Sequence, residues 1–318
     1  MNTKIKNYIA IARPEHWIKN AFVLPGIVLA LLFVPTPAGQ LILPVILSLV
    51  SACLVSSANY AINEWLDAEF DKFHPVKKNR PSVVGNMNAR LVYLEYFVLG
   101  IAGLAVAWLV NPWVFGAALA LLIQGFLYNV RPFRTKDRIY LDVISESINN
   151  PIRLMLGWFA VTTTYLPPSS VIIGYWMFGA FLMDIKRYAE LRFIDSRETA
   201  ALYRVSFKHY TEKRLLEMAI FYALCSGFFF AVFMIKHRIE LMLSLPFVAA
   251  LYTWYLAIGM KEKSPARNPE RIPRTEIGFT SYLLFFTALT LVLLYVDIPA
   301  LEWFLGPAAQ FDLKTLLN

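Results

Sequence analysis

Nine mostly apolar runs, separated by polar breaks, occupy the chain between residues 20 and 296. They fall at about 20–35, 41–63, 91–110, 113–130, 140–163, 168–189, 214–236, 239–260 and 276–296. A helix needs roughly 20 apolar residues to cross the hydrocarbon core of a bilayer. Inside lipid each segment must also satisfy its own backbone polar groups, which favours helices. The expected fold class is therefore all-α: a polytopic membrane protein with nine transmembrane helices. Composition agrees, since only 16% of the residues are charged, against about 25% in soluble domains. No polar linker divides the chain, so residues 1–318 read as a single transmembrane domain. Pro25-Gly26 interrupts the short first run, which neighbouring helices can tolerate. Cys53 and Cys225 lie in apolar runs and offer neither a disulfide framework nor a metal spacing.

The breaks alternate in character. Those after runs 1, 3, 5 and 7 are short, whereas those after runs 2, 4, 6 and 8 are longer and basic. With the N-terminus in the cytosol, all of the 30 Lys and Arg residues except Arg153, Lys236, Arg238 and Lys314 fall on the cytosolic side. The positive-inside rule then predicts N-in and C-out, in an inner (cytoplasmic) membrane with the polar site facing the cytosol. The first twenty residues are too polar for a signal-peptide core, so the first helix is expected to direct insertion. The net charge of +8 needs no nucleic-acid partner, because topology and attraction to anionic membrane lipids account for it.

Acidic residues crowd the same helix ends. Asn63, Asp67 and Asp71 recur at i, i+4 and i+8 and therefore share one helical face. Three oxygen donors in a column suit a hard divalent cation, and Mg²⁺ is commonly shared between one or two carboxylates and substrate phosphates. Lys77, Lys78 and Arg80 follow as donors for phosphate oxygens. Glu64 and Glu69 fall off that face and read as solvated or structural. In the fifth run, Asp142, Glu146, Asn149, Asn150 and Arg153 form one helical stripe. An ionisable residue at membrane depth costs about 2.5–3.5 kcal/mol and usually faces a bundle interior or cavity. At the end of the sixth run Asp184, Tyr188 and Arg192 share a face, with Lys186, Arg187, Glu190 and Asp195 around it.

Nine helices with N-x-x-x-D-x-x-x-D after the second resemble the UbiA superfamily of intramembrane prenyltransferases. The segments "RPEHWIKN", "DAEFDKFHPVKKNRPSVVG" and "KRYAEL" are similar to those of its decaprenyl-phosphate phosphoribosyltransferase branch. The resemblance implies a UbiA-like bundle with a Mg²⁺–diphosphate site at Asn63, Asp67 and Asp71. The family's second aspartate-rich motif is represented only by Asp184, as a further metal ligand, alongside Tyr188 and Arg192. That departure suits a donor carrying an additional phosphate, which needs more cations and fewer carboxylates. The fifth-helix sequence "SESINNPIRLMLGW" also departs from the mycobacterial-type enzyme.

The resemblance implies transfer of 5-phosphoribose from phosphoribosyl diphosphate to a polyprenyl phosphate. Asp67, Asp71, Asp142 and Glu146 are the expected catalytic residues. Lys19, Lys77, Lys78, Arg80, Asn149, Arg153, Lys186, Arg187, Tyr188 and Arg192 are the expected substrate contacts. A rival keeps the metal site but uses a prenyl diphosphate, either with an aromatic acceptor or in an intramembrane terpene cyclase. A transporter or lipid-binding protein is a further alternative. Transporters often show paired repeats, and the Asn63–Asp71 pattern has no second copy.

Overall fold

The computed structural model describes residues 3–194 and 196–305. Among them every regular element is helical. In chain order the α-helices are α1 (Thr3–Ala12), α2 (Leu24–Phe33), α3 (Ala38–Asp71), α4 (Pro81–Val84), α5 (Ala89–Trp108) and α6 (Pro112–Asn129). There follow α7 (Leu141–Ser147), α8 (Asn149–Val161), α9 (Ser169–Phe193), α10 (Arg197–Tyr203) and α11 (Glu212–His237). The last are α12 (Leu245–Gly259), α13 (Ile272–Thr275), α14 (Ile277–Tyr295) and α15 (Pro299–Leu305). Asp195 and Lys314, both weighed above, lie outside the described residues.

Seven helical stretches among the described residues are long and apolar enough to cross a membrane: Ile5–Phe33, Ala38–Asp71, Ala89–Trp108, Pro112–Asn129, Glu212–His237, Ile239–Gly259 and Ile277–Tyr295. They correspond to expected runs 1–4 and 7–9. The fifth run is helical but broken at Ile148 into α7 and α8. Pro151 explains the break, because it has no N–H to give the carbonyl of Ser147. The sixth run is the 25-residue α9, whose Asp184, Lys186, Arg187 and Glu190 make it too polar to meet the same standard. The first stretch begins earlier than expected, with α1 joined to α2 through a 3₁₀ segment, Pro14–Val23.

Helix α3 carries the site and is longer than its apolar run. Its 34 residues span roughly 51 Å at 1.5 Å per residue, against a hydrocarbon core of about 30 Å. Its last turns, with Asn63, Asp67 and Asp71, therefore project past the apolar part. α3 packs on α5 and α6, α2 on α8, and α9 on α11. At the α2–α8 crossing a Cβ on Gly26 would lie 1.9 Å from the Leu154 carbonyl oxygen, and one on Gly157 would lie 2.1 Å from that of Val23. Only glycine permits so close an approach, the small-residue packing that membrane helices use in place of a hydrophobic drive.

One apolar core gathers Val23, Val55, Leu121 and Trp158 from the N-terminal half. A second gathers Phe181, Ile185, Tyr210 and Leu215 from the C-terminal half. Outward-facing Leu94, Phe97 and Ile101 on α5 and Leu284, Phe285 and Val292 on α14 are exposed, as a lipid-facing surface requires. The basic segments after α3, α6, α9 and α12 converge at one end of the bundle, where the polar cavity lies.

Candidate active site

The end of α3 forms the centre of a polar cavity of about 160 Å³. Asn63, Asp67 and Asp71 line it together, as the i, i+4, i+8 spacing requires. Asn63 Nδ2 donates to Asp67 Oδ2 at 3.3 Å and to Asn129 Oδ1 at 2.5 Å. Asp67 Oδ1 accepts from Arg134 Nη2 at 2.9 Å and from Lys136 Nζ. Asp71 Oδ2 accepts from Arg80 Nη1 at 2.5 Å. Two carboxylates are thus held among three cations. Burial pushes the Lys136 ammonium down to about 8, against the opposing pull of Asp67.

The segment after α3 is shaped by His74. Its Nδ1 accepts the backbone N–H groups of Val76 and Lys77, each at 3.1 Å, which turns Lys77 back over the cavity. Burial, reinforced by the charge of Lys77, lowers His74 to about 4. Lys77 Nζ donates to Glu190 Oε1 at 2.8 Å and to the Tyr203 hydroxyl. Glu64, next to Asn63 but off the metal-ligand face, is buried. It accepts from Arg13 Nε at 3.0 Å and from Ser82 Oγ at 3.4 Å, which ties α1 and α4 to α3. Arg13 adopts φ 49°, a left-handed conformation that this buried ion pair holds in place.

Facing the ladder, α7 and α8 contribute Glu146, Asn149 and Arg153. Glu146 Oε2 accepts from the Tyr128 hydroxyl at 2.6 Å and from Arg187. Arg153 donates to Asn20 Oδ1 at 3.0 Å and Ser56 Oγ at 3.3 Å, at the inner end of the cavity. Asn149 Oδ1 is buried without a hydrogen-bond partner among the described residues, so this cavity-lining residue keeps an open acceptor. Lys186 enters from α9, 4.0 Å from Glu146. Lys19 lies 3.5 Å from Glu270. Burial opposes ionisation of Glu270, but Lys19 holds its carboxyl below the usual range.

Lys19, Asn63, Asp67, Asp71, Lys77, Arg80, Glu146, Asn149, Arg153 and Lys186 therefore share one cavity. The other expected residues lie elsewhere. Lys78 points to solvent. Asp142 is fully buried, accepting from Tyr210 at 2.6 Å, Ser206 at 3.1 Å and Arg187 at 3.3 Å. It pins the segment after α10 to α7 and does not touch the cavity. Arg187 is enclosed by Asp142, Glu146, Glu190 and Tyr128, leaving it no reach toward a substrate. Asp184 is buried away from the ladder, and neither carboxylate oxygen has a hydrogen-bond partner among the described residues; it cannot complete a metal site with Asp67 and Asp71.

Tyr188 and Arg192 turn toward α11 and α12, where Tyr188 meets Glu212 at 3.4 Å and Arg192 donates to the Met260 carbonyl at 2.8 Å. The Asp184–Tyr188–Arg192 face of α9 thus turns away from the cavity, and the face with Lys186 and Glu190 turns toward it. Residues not singled out above also line the cavity, among them Tyr128, Asn129, Tyr203 and Arg204. Tyr203 and Arg204 come from a segment without periodicity, so no sequence signal marked them.

A model of the UbiA prenyltransferase family matches residues 21–274. The chain belongs to the UbiA prenyltransferase family. This UbiA-family protein is accordingly a multi-pass integral membrane enzyme, a transferase of the UbiA type. It is 30% identical over 213 residues to the decaprenyl-phosphate phosphoribosyltransferase of Mycobacterium tuberculosis, covering 66% of this chain and 68% of that one. It is 36% identical over 126 residues to protoheme IX farnesyltransferase 2 of Lysinibacillus sphaericus, covering 39% of each. The fold matches that of a UbiA homolog from Archaeoglobus fulgidus bound to DMAPP and Mg²⁺, with a TM-score of 0.68 and 21% identity over 92% of this chain and 100% of that one.

The donor set at the ladder fits a hard cation. Both carboxylates and the Asn63 amide present oxygen, and Asn63 Oδ1 accepts no hydrogen bond among the described residues. No cluster of three or more His, Cys, Asp or Glu residues suited to a metal exists among the described residues. The ladder can therefore supply only part of a coordination shell, the rest falling to substrate oxygens or water, as is usual for Mg²⁺.

Proposed function

We propose that this UbiA-family enzyme transfers 5-phosphoribose from phosphoribosyl diphosphate to a polyprenyl phosphate. The reaction would take place at the cytosolic mouth of a nine-crossing, single-domain bundle spanning residues 1–318, in the cytoplasmic membrane with N-in orientation. The observation that carries this reading is the balance of charge around the cavity. Opposite the Asp67–Asp71 pair, α9 presents Lys186 rather than a second pair of free carboxylates, and its one acid there, Glu190, is bonded to Lys77 and Arg187. Surplus cations suit a donor with a phosphate beyond its diphosphate. The identity to decaprenyl-phosphate phosphoribosyltransferases supports the same choice.

Asn63, Asp67 and Asp71 would hold Mg²⁺, which when bound supplies positive charge to the departing diphosphate. Lys77 and Arg80 would add fixed cations where negative charge develops, the arrangement that lowers barriers most effectively. Lys19 and Lys186 would take the remaining phosphate groups. The open acceptor of Asn149 would receive a ribose hydroxyl, and Glu146, anchored by Tyr128 and Arg187, would face the cationic ribosyl C1. The attacking oxygen of a lipid phosphate is already anionic, so no general base is required. The polyprenyl tail would leave sideways between helices into the bilayer.

The protein would be incubated with radiolabelled phosphoribosyl diphosphate, polyprenyl phosphate and Mg²⁺, and lipid-extractable label counted. Mg²⁺-dependent label in the lipid phase is the expected result. A second reading, prenyl transfer from an allylic diphosphate, is favoured by the similarity to protoheme IX farnesyltransferases. Turnover of farnesyl or geranylgeranyl diphosphate, with no labelled lipid from phosphoribosyl diphosphate, would replace the first reading by the second.

A further inference from the structure

Most cations around the cavity already have acceptors. Arg13 is paired with Glu64, Lys77 with Glu190 and Arg80 with Asp71, while Arg153 donates to Asn20. Arg204 differs. Its Nε and Nη1 are buried, and neither has a hydrogen-bond partner among the described residues. The closest carboxylate oxygen given for it, Asp142 Oδ2, lies 3.8 Å from Nη1, beyond hydrogen-bond reach. That oxygen already accepts from Arg187 and Ser206, so it is not available to close on Arg204.

The position of Arg204 is fixed from both sides. It sits between α10 and a 3₁₀ turn, Val205–Lys208. Ser206 and Tyr210 anchor that turn to Asp142, and Tyr203 is held by Glu190 and Lys77. The guanidinium lines the main cavity and also a smaller recess bounded by Asp67, Asp71, Arg134 and Lys136. Buried donors left unpaired are costly in a folded protein. Each shares an edge of the planar guanidinium with Nη2, and such an edge, held beside the metal-ligand face, is a fork that matches phosphate oxygens in pairs.

We infer that Arg204 is a direct ligand of the substrate's diphosphate: its fork grips a phosphoryl group beside the Asp67–Asp71 ladder and neutralises charge on the leaving group. This assignment rests on the reading that a diphosphate is the leaving group at the ladder. It adds a cation from the segment after α9, which the sequence did not single out; the expected further metal ligand, Asp184, lies within α9. Asp184 faces away from the cavity, and Arg204 takes the place facing the diphosphate.

The test uses the full-length protein in lipid nanodiscs, with magnesium diphosphate and ribose 5-phosphate as separate probes. Calorimetry gives affinities, and melting is followed without ligand. Arg204→Gln is expected to weaken magnesium diphosphate binding about 10- to 100-fold, the range for losing charge-assisted hydrogen bonds. Arg204→Lys keeps the charge but loses the fork, and should recover only part of the affinity. Ribose 5-phosphate binding and the melting temperature without ligand should stay near wild type in both. Wild-type diphosphate affinity in Arg204→Gln would overturn the inference. So would loss confined to ribose 5-phosphate, or a fall in melting temperature that Arg204→Lys repairs while diphosphate affinity never changes. A wild-type protein that binds no magnesium diphosphate would overturn both the inference and the reading beneath it. Weakened diphosphate binding in a protein that transfers no phosphoribose would leave Arg204 assigned and remove only the donor proposed above.

Discussion

Carboxylates a few residues apart on α3 have separate tasks, and substitution should tell them apart. Asp67 and Asp71 face the cavity, where Asp67 meets Arg134 and Lys136 and Asp71 meets Arg80. Asp67→Ala and Asp71→Ala should each lower turnover by about 10²–10³-fold or more, the scale for removing a preorganised charge-stabilising group. Circular dichroism should show both variants folded; retained turnover in both would remove the ladder from the chemistry. Glu64 is the opposite case. Glu64→Ala leaves Arg13 buried without its partner, which typically costs about 3–5 kcal/mol. Its expected signature is a lower melting temperature and a loosened α1, read by hydrogen exchange over residues 3–12. The sequence distinguished these roles because periodicity assigns each residue to a face of α3. It could not show that Glu64 meets Arg13, since that contact depends on how α1 folds back.

Elements show where periodicity succeeds and where it stops. Both stripes on α9 obey helical spacing, and spacing alone does not favour Lys186 and Glu190 over Asp184, Tyr188 and Arg192. The choice is made by α11 and α12, which cover the second stripe. The fifth run is expected as one helix, and Pro151 is the residue that breaks it at Ile148, whereas α1 precedes the apolar run and carries no hydrophobic signal of a span. Close helix crossings give a sharper prediction. Gly26→Ala or Gly157→Ala places a methyl against a backbone carbonyl, an overpacking that costs about 1–3 kcal/mol or more. Gly116→Ala meets nothing within 4 Å among the described residues and should be neutral or stabilising by up to about 1 kcal/mol through helix propensity. Melting of the three variants in one detergent checks the order.

The turn after α3 should respond to pH through His74. Its pKa is lowered to about 4 in the folded protein, below the 6.5 of a free imidazole. The unfolded chain therefore binds the extra proton first, and stability falls as pH drops from about 6.5 towards 4. Protonation would also turn Nδ1 from an acceptor into a donor facing two N–H groups. His74→Asn retains an acceptor without this titration, so the difference in melting temperature between wild type and variant should shrink across that window. A constant difference from pH 7 to pH 4.5 would mean that the ring does not hold this turn.

At the scale of the whole molecule, seven of the nine expected crossings are marked by length and apolarity alone, and the fifth and sixth, which line the polar site, fall short of that standard. α9 pays for its place beside the cavity with charges that make it look unlike a span, and Pro151 divides the helix before it. A nine-crossing bundle requires both to traverse the bilayer: α7 with α8 outward, α9 back. The exposed positions Arg131, Thr164 and Glu198 bracket these two segments. Single cysteines there, in a background lacking Cys53 and Cys225, would be challenged with a membrane-impermeant maleimide in vesicles of either orientation. Arg131→Cys and Glu198→Cys should label only from the cytosolic side, and Thr164→Cys only from the opposite side. If all three label from one side, neither segment crosses, and the cavity would lie under a re-entrant pair rather than at the mouth of a nine-helix bundle. The charge distribution supports the first outcome, because the bracketing segments with Arg131, Arg134, Lys136 and Arg138, and with Arg197, Arg204 and Lys208, are basic. The Thr164 turn between them carries no charge over residues 159–169, as a loop moved across the membrane during insertion should.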